Sequence, residues 1–151
     1  MRHEIQERFE CQFHMRDHGW ITWKLSFFHC EITIWISDVF DCIPEIIELI
    51  WNLESTSTKQ FQLQVDEEGH IANISLDRYG RNPDFFLLRI RNNSGLKKNE
   101  YDFRKVVSLS KFRTELKSSF LKMVDESKDR TWRGYSIRDK WLSSPANKKP
   151  S

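Results

Sequence analysis

The chain is short of the residues on which most enzymatic and membrane signatures depend. It holds only five glycines in 151 residues. None of them builds a phosphate-cradling loop or a nucleophile elbow, so the usual scaffolds for nucleotide and serine-hydrolase chemistry are missing. No run of about 18 apolar residues occurs, which excludes a helix that spans a bilayer, and the opening MRHEIQERFE lacks the apolar core of a secretion signal. The expected compartment is the cytoplasm. Three cysteines, Cys11, Cys30 and Cys42, are an odd number without paired spacing. That fits reduced, mostly buried thiols better than a disulfide framework. Positive charge is also scarce in one place: residues 37–68 contain one basic residue, Lys59, against eight Asp and Glu.

What the chain does have is aromatic bulk, with eleven Phe, six Trp and three Tyr. At this length one core suffices, and each aromatic buries on the order of 150 to 250 Å². Between Phe9 and Arg16 the apolar Phe9, Cys11, Phe13 and Met15 alternate with polar residues, the period of a half-buried strand. Ile21, Trp23, Leu25 and Phe27 continue that pattern on one face, after which the apolar set slips to Phe28, Cys30, Ile32, Ile34 and Ile36. A one-residue slip exchanges faces, so a bulge or an unmarked tight turn must lie near Phe27 and Phe28. Ser37, Asp38 and Asp41 are candidate caps for an amphipathic helix whose apolar stripe is Ile43, Ile46, Ile47, Ile50 and Trp51. Three short strands follow, starting at Phe61, His70 and Asp84; DEEG joins the first two as a hairpin turn in which Gly69 takes positive φ. EYDFRKVV is a further strand or helix lead-in. Ser108 or Ser110 then caps a second helix with Leu109, Phe112, Leu116, Phe120, Met123 and Val124 at spacings of three and four. The resulting expectation is an α+β domain over residues 1–142, a mostly antiparallel five- or six-stranded sheet with two principal helices packed on one face, followed by a disordered tail at 143–151.

Charge divides the chain more sharply than its total suggests. Residues 1–36, 37–68 and 69–151 carry about −1, −7 and +10, against a net charge of +2. Asp38, Asp41, Glu45 and Glu48 belong to the first helix and its lead-in, and Asp66, Glu67 and Glu68 to a hairpin tip. Carboxylates at a helix start stabilise it by about 0.3 to 1 kcal/mol each, which accounts for some of them as capping. The alternative is that helix and hairpin tip lie side by side and present one negative surface to a basic partner.

Several chemistries fail on spacing. Cys11, His14 and His18 are zinc-ligand types, but positions 11 and 14 point to opposite strand faces and the two histidines lie about 13 Å apart along an extended chain. Cys42 sits at a helix start but among Asp38, Asp41 and Glu45, whose charges oppose a thiolate. Asp66, Glu67 and Glu68 on a solvated turn would have no burial to separate an acid from a base. No catalytic residues, metal or cofactor are assigned.

Nucleic-acid binding is the second reading: Arg78, Arg81, Arg89 and Arg91 interleave with aromatics, as phosphate contact and base stacking require. On FFLLRIR, however, Phe85, Leu87, Arg89 and Arg91 share one face, so the arginine stems can simply cover their own apolar neighbours. A structural or interaction protein of unassigned role is the third. Trp35 shares a strand face with Glu31 and Thr33, so either the C-terminal TWRGYSIRDKW covers it or it anchors a partner.

The pieces WISDVFDCIPEIIELIW, VDEEGHI, FLLRIR, SKFRTELKSSFLKMV and GYSIRDKW stand in an order that resembles a large family of small bacterial proteins of unassigned activity. Its members show an (L/I)SD turn into an apolar helix, a DEEPG-like hairpin, a Leu/Arg strand, a long helix and a closing GxxYxxxW. The likeness spans roughly Phe9 to Leu142; this chain departs from it in lacking a clear turn between Trp20 and Ser37. The resemblance implies a fold. It also implies an immunity role of the kind found in toxin–antitoxin and contact-dependent growth inhibition systems: a non-enzymatic cytoplasmic protein that occludes a cognate toxin domain. The acidic segment suits a nuclease, whose cleft is built for nucleic acid. The partner-binding residues expected on that view are Trp35, Asp38, Asp41, Glu45, Glu48, Asp66, Glu67 and Glu68, with no membrane partner and the oligomeric state left open.

Overall fold

A computed structural model describes residues 9–55, 58–93, 101–127, 130–132 and 134–144. Its first strands are β1 (Glu10–Met15), β2 (Trp20–Phe27) and β3 (Cys30–Ser37), an antiparallel sheet in that order. The turn missing from the sequence pattern is Phe28 and His29, a two-residue link that leaves Phe27 opposite Cys30. Odd positions therefore face inward on β2 and even ones on β3, and the apparent slip is the hairpin itself. The turn carries no glycine, asparagine or proline to announce it. By contrast the β1–β2 turn has both His18 and Gly19 at positive φ. A side chain on Gly19 would lie 2.2 Å from the Asp38 carboxylate, which packs directly over the turn.

The first helix, α1 (Ile43–Asn52), follows, and then a second antiparallel sheet, β4 (Gln60–Asp66), β5 (Ile71–Arg78), β6 (Phe85–Asn93) and β7 (Tyr101–Ser108), again in sequence order. The expected single sheet of five or six strands is thus corrected to two sheets of three and four strands. The α+β class and antiparallel pairing stand. The cause of the split lies at β3 and β4, which approach each other but exchange no ladder hydrogen bonds. Instead the Glu67 carboxylate, at the end of β4, accepts the Trp35 backbone N–H of β3 at 2.9 Å.

Helix α2 (Leu109–Glu126) starts on Ser108, whose hydroxyl accepts the Lys111 N–H, and all six residues of its predicted stripe are buried. It lies on β1, with Phe112 stacked on Phe9 and Phe120 edge-on to Phe13. Phe27 against Phe103 joins the two sheets, so one aromatic core runs through the molecule. A short third helix, α3 (Ile137–Leu142), places Trp141 between Trp51 of α1 and Phe120 of α2. Among the described residues no helix is long and apolar enough to cross a membrane. Ser143 is the C-cap of α3 and Ser144, whose N–H donates to the Trp141 carbonyl, is buried; the rest of the predicted tail, residues 145–151, lies outside the described residues.

Asp41 fixes the start of α1 to the C-terminal segment. Its Oδ1 accepts the Ile43 N–H at 2.9 Å and the Trp132 Nε1–H at 3.0 Å, while Oδ2 accepts the Tyr135 hydroxyl. One carboxylate thereby satisfies an orphan helix donor and a buried indole. Asp41→Ala should cost about 2 to 4 kcal/mol of unfolding free energy, the sum of a lost cap and charge-assisted bonds. Urea denaturation measures it, and a loss under about 0.5 kcal/mol would show the staple to be idle.

Candidate functional site

Between α1 and β4 runs an open groove of about 830 Å³. Its helix side presents Asp41, Glu45 and Glu48, and its strand side includes five consecutive residues, Gln60 to Gln64, together with Asp66. Residues pointing into the core and residues pointing away both line it, as they do along the edge of a strand, and β4 is the edge of its sheet. The acids of the helix and one acid of the hairpin do meet, then, across a gap that no other described segment fills. Among the described residues no Lys or Arg forms an ion pair with Asp38, Asp41, Glu45, Glu48, Asp66 or Glu68; the basic residues pair elsewhere, Lys24 with Glu31, Lys117 with Glu54 and Arg130 with Asp17.

The eight expected partner-binding residues separate into three groups. Glu45 and Glu48 are exposed and line the groove, and half-buried Asp66 faces them, although its Oδ1 also accepts the Glu68 N–H at 3.0 Å. Trp35 is 44% exposed and edge-on to Trp20, with centroids 6.0 Å apart. The C-terminal aromatics do not cover it, because Trp132, Tyr135 and Trp141 are spent on Asp41 and on the inner face of α1. Asp41 borders the groove with its carboxylate already committed. Asp38 lies over Gly19 and Glu68 on the hairpin tip, neither lining the groove.

Glu67 corrects the picture of a solvated acidic tip. It is buried, with 6% of its surface exposed, and spans the two sheets. Its Oε1 stands 3.2 Å from His70 Nε2, close enough for an ion pair with a protonated imidazole but without hydrogen-bond alignment. Burial raises the Glu67 carboxyl above the ordinary carboxylate range, opposed by the Trp35 N–H and by His70. The signal was in the alternation: Phe61, Leu63 and Val65 face inward, and Glu67 is the next member of that series. Other residues the sequence reading missed are Phe40, which is 47% exposed at the groove mouth, and the Gln60, Gln62 and Gln64 series.

Of the three cysteines expected to be mostly buried, Cys42 is buried, Cys11 half-buried and Cys30 exposed. Burial pushes the Cys11 thiol up to about 12; burial, then the charges of Asp41 and Glu45, raises that of Cys42. Among the described residues no group of three or more His, Cys, Asp or Glu is placed to hold a metal ion. The four arginines of the second reading do not form one surface. Arg78 and Arg81 belong to the β5–β6 end of the sheet, and Arg89 and Arg91 to the outer face of β6. Arg89 is bound to Asp102 through two bonds of 3.0 and 2.8 Å, and Arg104 joins the same carboxylate.

No family model matches the chain, and no curated protein does. Among solved structures it is similar to one described as the plant transcriptional regulator PBF-2, at 12% identity and a TM-score of 0.40, over 76% of this chain and 71% of that one. A likeness of that size carries no argument about activity.

Because the folded state holds the Glu67 proton more tightly than the unfolded chain, this group favours folding fully below about pH 4, near the unfolded carboxylate value. The contribution is lost as pH rises through the raised folded value. Glu67→Gln keeps an oxygen for the Trp35 N–H and removes the charge. Its urea midpoint should exceed that of the wild type at pH 7 and converge with it near pH 4; a lower midpoint at pH 7 would mean that the charged pair with His70 outweighs burial.

Proposed function

We propose that this is a non-enzymatic binding protein of the immunity type, which docks its acidic groove on a basic surface of a cognate toxin domain and so occludes the toxin's active site. The observation that carries the reading is the groove: carboxylates from two separate parts of the chain, Glu45 and Glu48 on α1 and Asp66 on the β4 hairpin, line one open space, and among the described residues no Lys or Arg lines it with them. Unpaired charge at a rim raises the association rate with an oppositely charged partner and sets its orientation. Exposed Trp35, Val39 and Phe40 supply apolar area close to the charge, the combination of anchors and polar rim that specific interfaces use. A nuclease is the preferred target, since its cleft is shaped and charged for a polyanion. The same reading places the protein in the cytoplasm, where such a toxin would act.

The resemblance in motif order supports this reading. The arrangement of Arg89, Asp102 and Arg104 counts against the nucleic-acid alternative, because Arg89 is already held by a carboxylate on the neighbouring strand.

The test is co-purification with the small C-terminal domain of a secreted protein encoded beside this gene, followed by Glu45→Lys with Glu48→Lys. The double variant should weaken binding by about 10- to 100-fold, chiefly through a slower association rate and a flatter salt dependence. Unchanged affinity would remove the groove from the interface. Strong retention of the wild type on heparin, falling steeply with salt, would favour nucleic acid instead.

A further inference from the structure

One wall of the acidic groove is strand β4. In the antiparallel pair of β4 and β5, facing residues alternate between those that exchange backbone hydrogen bonds and those that do not. The phase is fixed at both ends: the Arg78 N–H donates to the Lys59 carbonyl at 3.1 Å, and the Glu67 N–H to the His70 carbonyl at 2.9 Å. With Lys59 and Glu67 in bonded pairs, Phe61, Leu63 and Val65 are bonded to β5 as well. Gln60, Gln62, Gln64 and Asp66 therefore turn their N–H and C=O groups the other way, along the outer edge of the sheet.

That edge is the strand wall of the groove. It runs for about 20 Å at 3.3 Å per residue, and none of its outward backbone groups has a partner among the described hydrogen bonds. Edge strands of this length are commonly blunted by lysine, proline or a bulge. β4 has none of these between Gln60 and Asp66; its outward side chains are three glutamines and Asp66. The edge of β3 is different, since Glu67 already caps its Trp35 N–H.

We infer that the partner of this groove is an extended, Lys/Arg-bearing segment that adds to β4 as a fifth strand of the second sheet, its basic side chains meeting Glu45 and Glu48. Backbone pairing supplies affinity and alternate side chains supply selection, which is how strand addition works elsewhere. The occupant is fixed by charge: the helix wall offers carboxylates to whatever lies on the edge. This rests on the binding reading above and specifies its mode.

The probe is a capped heptapeptide of alternating Lys and Thr, titrated calorimetrically, with its Glu/Thr counterpart as control. The basic peptide should bind and the acidic one should not; equal binding of the two overturns the assignment of chemistry. Gln62→Pro removes an outward N–H without touching the β5 ladder, a position at which an edge strand tolerates proline. It should lower affinity for the basic peptide at least about tenfold. Retained affinity in a variant whose Leu63 and Val65 amides stay protected overturns strand addition. A second arm leaves the protein unaltered: of two peptides N-methylated on alternate residues, in opposite phase, one should lose binding and the other keep it. If both bind like the parent, no ladder forms. Should the toxin domain bind and the peptide not, the mode is wrong while the binding reading survives; should the peptide bind and no toxin domain, the reverse holds.

Discussion

The architecture depends on β3 and β4 meeting without pairing. Two strand edges brought together would ordinarily zip into one sheet, because every unpaired N–H and C=O gains a partner by doing so. Here α1 lies between them in sequence and packs against β4, and among the described residues the hydrogen bond that bridges them comes from a side chain, Glu67, which accepts the Trp35 N–H. A single carboxylate replaces a ladder. The consequence is a groove rather than a seam, walled by a helix on one side and by a strand edge on the other.

The carboxylates of the acidic segment divide the labour. Asp41 and Glu67 are structural: the first holds the C-terminal aromatics to the start of α1, the second holds the sheets together. Asp38 is packed over the β1–β2 turn, which is why that turn needs a glycine at position 19. Glu45 favours the first turn of α1 by its charge alone and Glu48 has no such duty, and among the described residues neither is held in an ion pair. An acid with no internal partner, facing an open groove, is available to something outside, and that distinction separates a surface with a use from an acidic helix face that is merely solvated.

Much of this was legible in the residues. The stripe of α2 is buried as its spacing predicts, α1 begins at Ile43 with Asp41 holding its first N–H and Pro44 in its first turn, and the slip after Phe27 marks a real hairpin. What could not be read was how strands from distant parts of the chain pair, because period-2 alternation says which way a side chain faces and nothing about which edge its strand presents. Two sheets and one sheet give the same pattern. The burial of Glu67 was readable in principle from its phase with Val65, but charge outweighed periodicity in reading a DEEG turn. The β4 edge required the pairing phase, which is fixed by backbone bonds at Lys59 and Glu67 and by no residue type.

Amide hydrogen exchange on the free protein tests the claim of an open β4 edge most directly. The account predicts alternation along the strand: Phe61, Leu63 and Val65 amides protected by their bonds to β5, and Gln60, Gln62 and Gln64 amides exchanging quickly into the groove. Uniform protection from Gln60 to Asp66 would mean that something already pairs with that edge, and the groove would be closed.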